Sequence, residues 1–151
     1  MRRLSIIFLG VIFLSNIPSL YYSLYIQYPW VDVVQHFSGG FFVAMFMAAY
    51  LKDRLAREGW LKNLIIIAGA TVFIGVLWEF SEYIANQTLV DYFYEKFQLR
   101  VYFMGDLKDT IGDLSMDISG AVLLYFLHLL RSRNAHEIKR ELQDGGGSLA
   151  Q

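Results

Sequence analysis

Four stretches of this chain are apolar for long enough to cross a lipid bilayer, whose hydrocarbon core of about 30 Å needs roughly 20 residues at helical rise. They cover about residues 4–26, 31–51, 63–85 and 110–130. The first contains Pro18, which removes one helical hydrogen bond and predicts a kink. The fourth has an uninterrupted apolar run only over 120–130, and it reaches membrane length only with Asp113 and Asp117 inside the bilayer. Both are admitted because a bundle interior shelters carboxylates that lipid cannot, and because 121–130 would otherwise have no core to join. The pattern predicts an all-α integral membrane four-helix bundle, with 1–131 as a single transmembrane domain and 132–151 as a polar tail. That tail should begin as a charged continuation of the last helix and end disordered at Gly145-Gly146-Gly147-Ser148.

The basic residues between the spans set a direction. Arg2 and Arg3 precede the first span, Lys52, Arg54, Arg57 and Lys62 separate the second from the third, and Arg131, Arg133, Lys139 and Arg140 follow the fourth. Ten of the 13 Lys and Arg residues thus share one side. The positive-inside rule makes that side, and both termini, cytoplasmic. The Tyr28-Pro29-Trp30 turn and the segment 86–109 then face outward, where Tyr92, Phe93, Tyr94, Tyr102 and Phe103 suit an interfacial aromatic belt. Within that segment, 90–104 mixes aromatics with Asp91, Glu95, Lys96 and Arg100, which predicts either a short interfacial helix or a strand-like cap. Met1-Arg2-Arg3 and the apolar run after it imitate a signal peptide. No small-x-small cleavage site follows, so a retained first span is expected.

Composition agrees with the pattern. The apolar fraction of 56% exceeds the roughly 45–50% of soluble domains. A net charge of −1 excludes a broad basic surface for nucleic acid, and the absence of cysteine excludes disulfides, thiolate metal sites and cysteine nucleophiles.

The candidate chemistry lies in what interrupts the apolar runs. Asp32, His36, Glu79, Glu82, Asp109, Asp113 and Asp117 all fall toward the outward end of the last three spans. A charge in hydrocarbon costs on the order of 3 kcal/mol even on lenient scales, so such residues mark a site. Asp32 and His36 are four apart and share a helix face, as do Glu79 and Glu82, three apart. Asp109, Asp113 and Asp117 repeat every fourth residue in one acidic stripe. At 1.5 Å per residue, Asp117 and Glu79 lie on the order of 10 Å below the outer boundary, with the others shallower.

Two chemistries want this arrangement. Carboxylates and one imidazole are ligands for a divalent cation, whose identity the spacing does not name. Alternatively, crowded carboxyl groups share protons and serve as general acid and base. All seven residues are candidate ligands, and His36, Glu79, Asp113 and Asp117 are the candidates for chemistry. His128 reads as interfacial, Asp106 as a cap of the fourth helix, and Ser38, Gly39, Gly40, Gly75 and Gly120 as close-packing positions rather than a phosphate loop. No nucleotide cofactor is expected. Arg100 and Lys108 are interfacial cations within reach of an anionic headgroup or phosphate.

Asp32-x-x-x-His36, Trp78-Glu79-x-x-Glu82 and Asp109-Thr110-x-x-Asp113-x-x-x-Asp117-x-x-Gly120-Ala121 together resemble the small bacterial inner-membrane proteins typified by YjdF, and more distantly the VanZ-like proteins. The resemblance covers 31–130 and implies a multi-pass protein of the bacterial cytoplasmic membrane with an undefined activity. Val33 stands where a VanZ-like sequence carries a basic residue and Asp117 where it carries asparagine, so no antibiotic-resistance role is transferred. The leading expectation is an outward-facing pocket that binds a divalent cation and acts on, or holds, a lipid-linked or cell-envelope molecule, as a metal-dependent membrane hydrolase would. A second is a non-enzymatic transport or assembly component, which with four spans would need to form a homo-oligomer. A third is purely structural, with the acids paired to hydroxyls such as Ser38, Ser81, Thr110 and Ser115.

Overall fold

The computed structural model describes residues 1–55, 59–103 and 105–146, with the side chains of the last helix as far as Arg131. It is all helical among those residues, in the order α1 (Arg2–Tyr21), α2 (Leu24–Gln27), α3 (Trp30–Tyr50), α4 (Trp60–Thr88), α5 (Val90–Phe97) and α6 (Leu107–Gly146). Four of these helices, α1, α3, α4 and the Leu107–Arg131 part of α6, are long and apolar enough to cross a membrane. Arg57 and Met104 lie outside the described residues.

Element ends depart from expectation where backbone chemistry overrides hydrophobic length. The first span does not run to residue 26: α1 continues through Pro18 to Tyr21, and the chain turns at Ser23, which adopts a left-handed φ of 52°. The missing proline N–H leaves one carbonyl free without stopping a membrane helix. The helix α4 is longer than the expected 63–85 by about a turn at each end, and it starts after Gly59, whose φ of 103° only glycine adopts without strain. The 90–104 segment resolves into helix α5 followed by chain without regular secondary structure over 98–103, with Phe93 packing on Phe97 and Phe103. Asp106 caps α6, its carboxylate accepting from the backbone N–H of Lys108 (2.9 Å) and Asp109 (3.1 Å). The helix α6 extends to Gly146; residues 147–151 lie outside the described residues.

The bundle is apolar on its outside. Phe13, Ile17, Ile65, Phe73, Phe80 and Ile84 are each 60–63% exposed, a surface stable only against hydrocarbon. Between helices that lipid solvates as well as protein does, association rests on close packing of small residues. The helix α3 is central, touching α1, α4 and α6, and α4 also packs on α6. The tightest crossing joins α3 to α6: a Cβ on Gly120 would overlap backbone atoms of Phe37 and Phe41, and one on Gly40 would overlap the backbone of Asp117.

Ala44, Met45, Ile67, Ala121, Leu124 and Tyr125 form the buried core on one side of that crossing. There the Tyr125 hydroxyl donates to the Trp60 carbonyl at the start of α4, at 2.7 Å. Tyr125→Phe keeps the ring and loses this bond, so it should destabilise the detergent-solubilised protein by about 0.5–1.5 kcal/mol, read as a small fall in melting temperature. The acids and the histidine lie on the other side of the crossing.

Candidate functional site

The helix period that places Asp32 one turn from His36 on α3 aims both side chains at the seam where α4 and α6 meet α3. Glu79 reaches the same point from α4, and Asp113 and Asp117 reach it from α6. His36, Glu79, Asp113 and Asp117 are each 5–7% exposed. Room for Asp117 comes from two glycines: its backbone lies against Gly40 and its carboxylate against Gly75.

The imidazole is the hub. Its Nε2 lies 3.7 Å from Asp32 Oδ1, 4.0 Å from Glu79 Oε1 and 4.0 Å from Asp113 Oδ1. Its Nδ1 lies 3.7 Å from Asp117 Oδ2. Charge-assisted N–H···O bonds measure about 2.7–2.9 Å, so none of these is a hydrogen bond. Glu79 Oε1 and Asp117 Oδ2 are fully buried without a hydrogen-bond partner among the described residues. A divalent ion with bonds of about 2.0–2.2 Å holds tetrahedral ligands about 3.3–3.6 Å apart. The nitrogen-to-oxygen separations around Nε2 exceed that by a few tenths of an ångström, and the ligand atoms form two groups of three that share His36. Ligand atoms of Asp32, His36 and Asp113, and of His36, Glu79 and Glu82, lie within 4.8 Å of one another.

The electrostatics make the same demand. The ion pairs within the cluster all involve His36, and among the described residues no Lys or Arg pairs with these acids. Five carboxyl groups with one imidazole in a bilayer need protons or a bound cation to approach neutrality.

Of the seven sequence candidates, six converge and one does not. Glu82 sits at the rim and accepts from the Trp78 indole N–H at 2.9 Å. Asp109 is exposed and stands at the mouth, where it lines a cavity of about 560 Å³ with Asp32, Glu82, Tyr25 and Phe103. Arg100 lies over the Tyr94 ring, 6.0 Å from its centroid, and neither it nor Lys108 lines this cavity. His128 is exposed, toward the opposite end of α6. Of the hydroxyls that a purely structural site would pair with the acids, Ser81 donates instead to Leu77 O and Ser115 to Ile111 O, each on its own helix, whereas Thr110 stands beside Glu79.

A polar network beside the cluster is not evident from spacing. The Tyr25 hydroxyl is 2.5 Å from Asn16 Oδ1 and 2.7 Å from Gln35 Oε1, and Gln35 Nε2 donates to Ser15 Oγ at 2.7 Å. Burial pushes the Tyr25 hydroxyl up to about 12, so it stays a neutral donor at physiological pH. The signal available in sequence was Asn16 and Gln35 themselves, polar amides within apolar runs. The network ties α1 and α2 to α3 next to His36.

A second cavity, of about 410 Å³, lies between α1, α3 and α4, with Asp32, His36 and Asp117 at its polar end and walls such as Leu9, Val43 and Ile74. Asp32 lines both cavities. A family model described as "Predicted membrane protein (DUF2238)" matches residues 2–134. The match is consistent with the YjdF-type resemblance and says nothing of VanZ-like proteins. No curated protein and no solved structure matches the chain.

Proposed function

We propose that this chain, which belongs to the DUF2238 family of predicted membrane proteins, holds a divalent cation within the bilayer and uses it to bind or act on a lipid-linked or cell-envelope molecule. The observation that carries this reading is the ring of carboxylate oxygens around His36 Nε2, supplied by three helices at 3.7–4.0 Å with a buried, unpartnered Glu79 Oε1 among them. His36 is the shared ligand in this reading, joined either by Asp32 and Asp113 or by Glu79 and Glu82. Asp117 faces the other imidazole nitrogen and orients the ring, as a carboxylate behind a metal-bound histidine commonly does.

A divalent ion there supplies Lewis acidity toward a phosphoryl or carbonyl oxygen. The chain's own residues position it, exclude water from its membrane side and leave it open toward the mouth at Asp109. The distribution of Lys and Arg supports an outward-facing mouth and cytoplasmic termini in a bacterial inner membrane.

Elemental mass spectrometry of the detergent-purified protein tests the reading. About one divalent ion per chain is expected, retained through gel filtration and removed by chelator. A folded protein free of metal after incubation with zinc, manganese, magnesium and calcium sinks the cation reading and leaves proton-sharing carboxyl groups in its place.

A further inference from the structure

The 410 Å³ cavity has a shape that the cation site alone does not require. On α1 its lining extends from Leu9 to Asn16, and on α4 from Thr71 to Trp78. Seven residues at helical rise make about 10 Å in each case, so the cavity is a slot parallel to the helix axes. One leaflet of hydrocarbon is about 15 Å deep, half of the bilayer core. The slot therefore has its polar end toward the mouth; on α4 it starts at Trp78, about 10 Å below the outer boundary, and its apolar end reaches past the bilayer centre.

Its walls explain what can fill it. Leu9, Phe13, Val43 and Ile74 offer water no hydrogen bonds, and water enters a cavity only where polar partners hold it. The slot is also open sideways. Close backbone packing joins α1 to α3 and to α2, but not to α4. Across the gap Phe13 meets Trp78 edge to face, with ring centroids 6.0 Å apart. Around this opening the solvent is lipid.

We propose that the slot seats one acyl chain of a glycerophospholipid, admitted from the bilayer between α1 and α4 past the Phe13–Trp78 pair. The lipid's polar junction then comes to rest beside Asp32, Asn16, Gln35 and His36. The tail seat stands on the cavity alone. Only the approach of the phosphodiester to a cation at His36 rests on the function proposed above. The chemistry of both ends fits one occupant: hydrocarbon below, and above it an anionic phosphodiester for which the cation, not a Lys or Arg, is the counter-charge.

Gly10 supplies the test, because it lines the slot and a Cβ there meets nothing within 4 Å. Gly10→Phe fills the space without touching the ionisable cluster. The full chain is reconstituted in vesicles of phosphatidylethanolamine and phosphatidylglycerol carrying a phospholipid with a diazirine in its acyl chain. After photolysis, labelled peptides are mapped and metal content is measured on the same samples. Labelling should concentrate at Leu9, Phe13 and Ile74, fall about tenfold in Gly10→Phe with metal unchanged, and rise severalfold in Phe13→Ala.

Labelling spread evenly over lipid-facing residues such as Ile6, Phe73 and Phe80, and indifferent to both substitutions, overturns the proposal. So does a slot protected from lipid by contact with a second copy of the chain. Native protein that labels in the slot yet holds no metal overturns the cation reading while supporting the acyl-chain seat.

Discussion

Valine at position 120 should be among the most damaging single changes in this protein, costing the folded bundle about 3–5 kcal/mol. The reason is that the obstacle is backbone. A side chain pressed against a flexible neighbour can turn aside, but a Cβ on Gly120 meets the Phe37 carbonyl oxygen and the Phe41 amide nitrogen of α3. The helices must separate along the seam that also sets Asp117 against Gly40, and membrane helices draw their association from that closeness. Helix propensity alone predicts the opposite sign, since replacing an interior glycine by alanine favours a helix by about 1 kcal/mol. Gly112 provides the control, because it is exposed on the same helix and nothing lies within 4 Å of its Cβ position. Thermal melts in detergent should therefore separate the pair: Gly112→Ala unchanged or slightly raised, Gly120→Ala lowered, and Gly120→Val lowest or unfolded. Equal behaviour of the two alanine variants would show that the α3–α6 crossing is looser than described.

The second large effect concerns metal. His36→Ala should abolish stoichiometric binding, because Nε2 is the atom that the carboxylate oxygens of Asp32, Glu79 and Asp113 surround. Asp113→Asn should lower affinity at least 100-fold. Asp117→Asn should lower it about 10- to 100-fold, the effect expected of a residue that orients a ligand without being one. Asp109→Asn, at the exposed mouth, should leave it unchanged. The melting temperature supplies a second readout. A ligand at 100 times its dissociation constant stabilises the native state by about 2.7 kcal/mol, so added metal should raise the melt of the native chain and not that of His36→Ala. In chelator the order reverses for the acids: Glu79→Gln removes a charge with no cation to offset it, and should melt at or above the native protein. If His36→Ala, Asp113→Asn and Asp117→Asn all bound metal as the native chain does, the ion would sit elsewhere and the ring of oxygens would hold protons.

Much of the fold and part of the site can be read along the chain. Hydrophobic length is a one-dimensional property, so four spans emerge from residue order alone. Helical period places Asp32 with His36 and Asp113 with Asp117 without any partner helix. Depth follows in the same way, which is why acids from three helices could be expected at one level.

What order along the chain does not contain is the rotation of each helix about its axis. That rotation sets Asp113 against His36 Nε2 and Asp117, one turn on, against Nδ1, and it is set by Gly40, Gly75 and Gly120, whose missing side chains leave no periodic signal. The Tyr25–Gln35–Ser15 bonds are likewise pairings across helices, and they depend on the turn at Ser23 that hydropathy carried straight through. The hydroxyls Ser81 and Ser115 were available to the acids by proximity in sequence, yet bonded to carbonyls one turn back, the cheaper partner for a serine in a membrane helix.

The helix that carries Asp113 and Asp117 continues without a break to Gly146, and it crosses α3 at Gly120. That crossing is a fulcrum. At 1.5 Å per residue, about 10 Å of α6 separates Gly120 from Asp113, and about 39 Å separates it from Gly146. A tilt that draws Asp113 inward by about 0.5 Å, the order needed to close the oxygens onto an ion, would swing the far end by about 2 Å. Occupancy of a site near one end of the molecule would then be readable as displacement at the other, with a mechanical advantage of roughly four set by where one glycine falls in the helix.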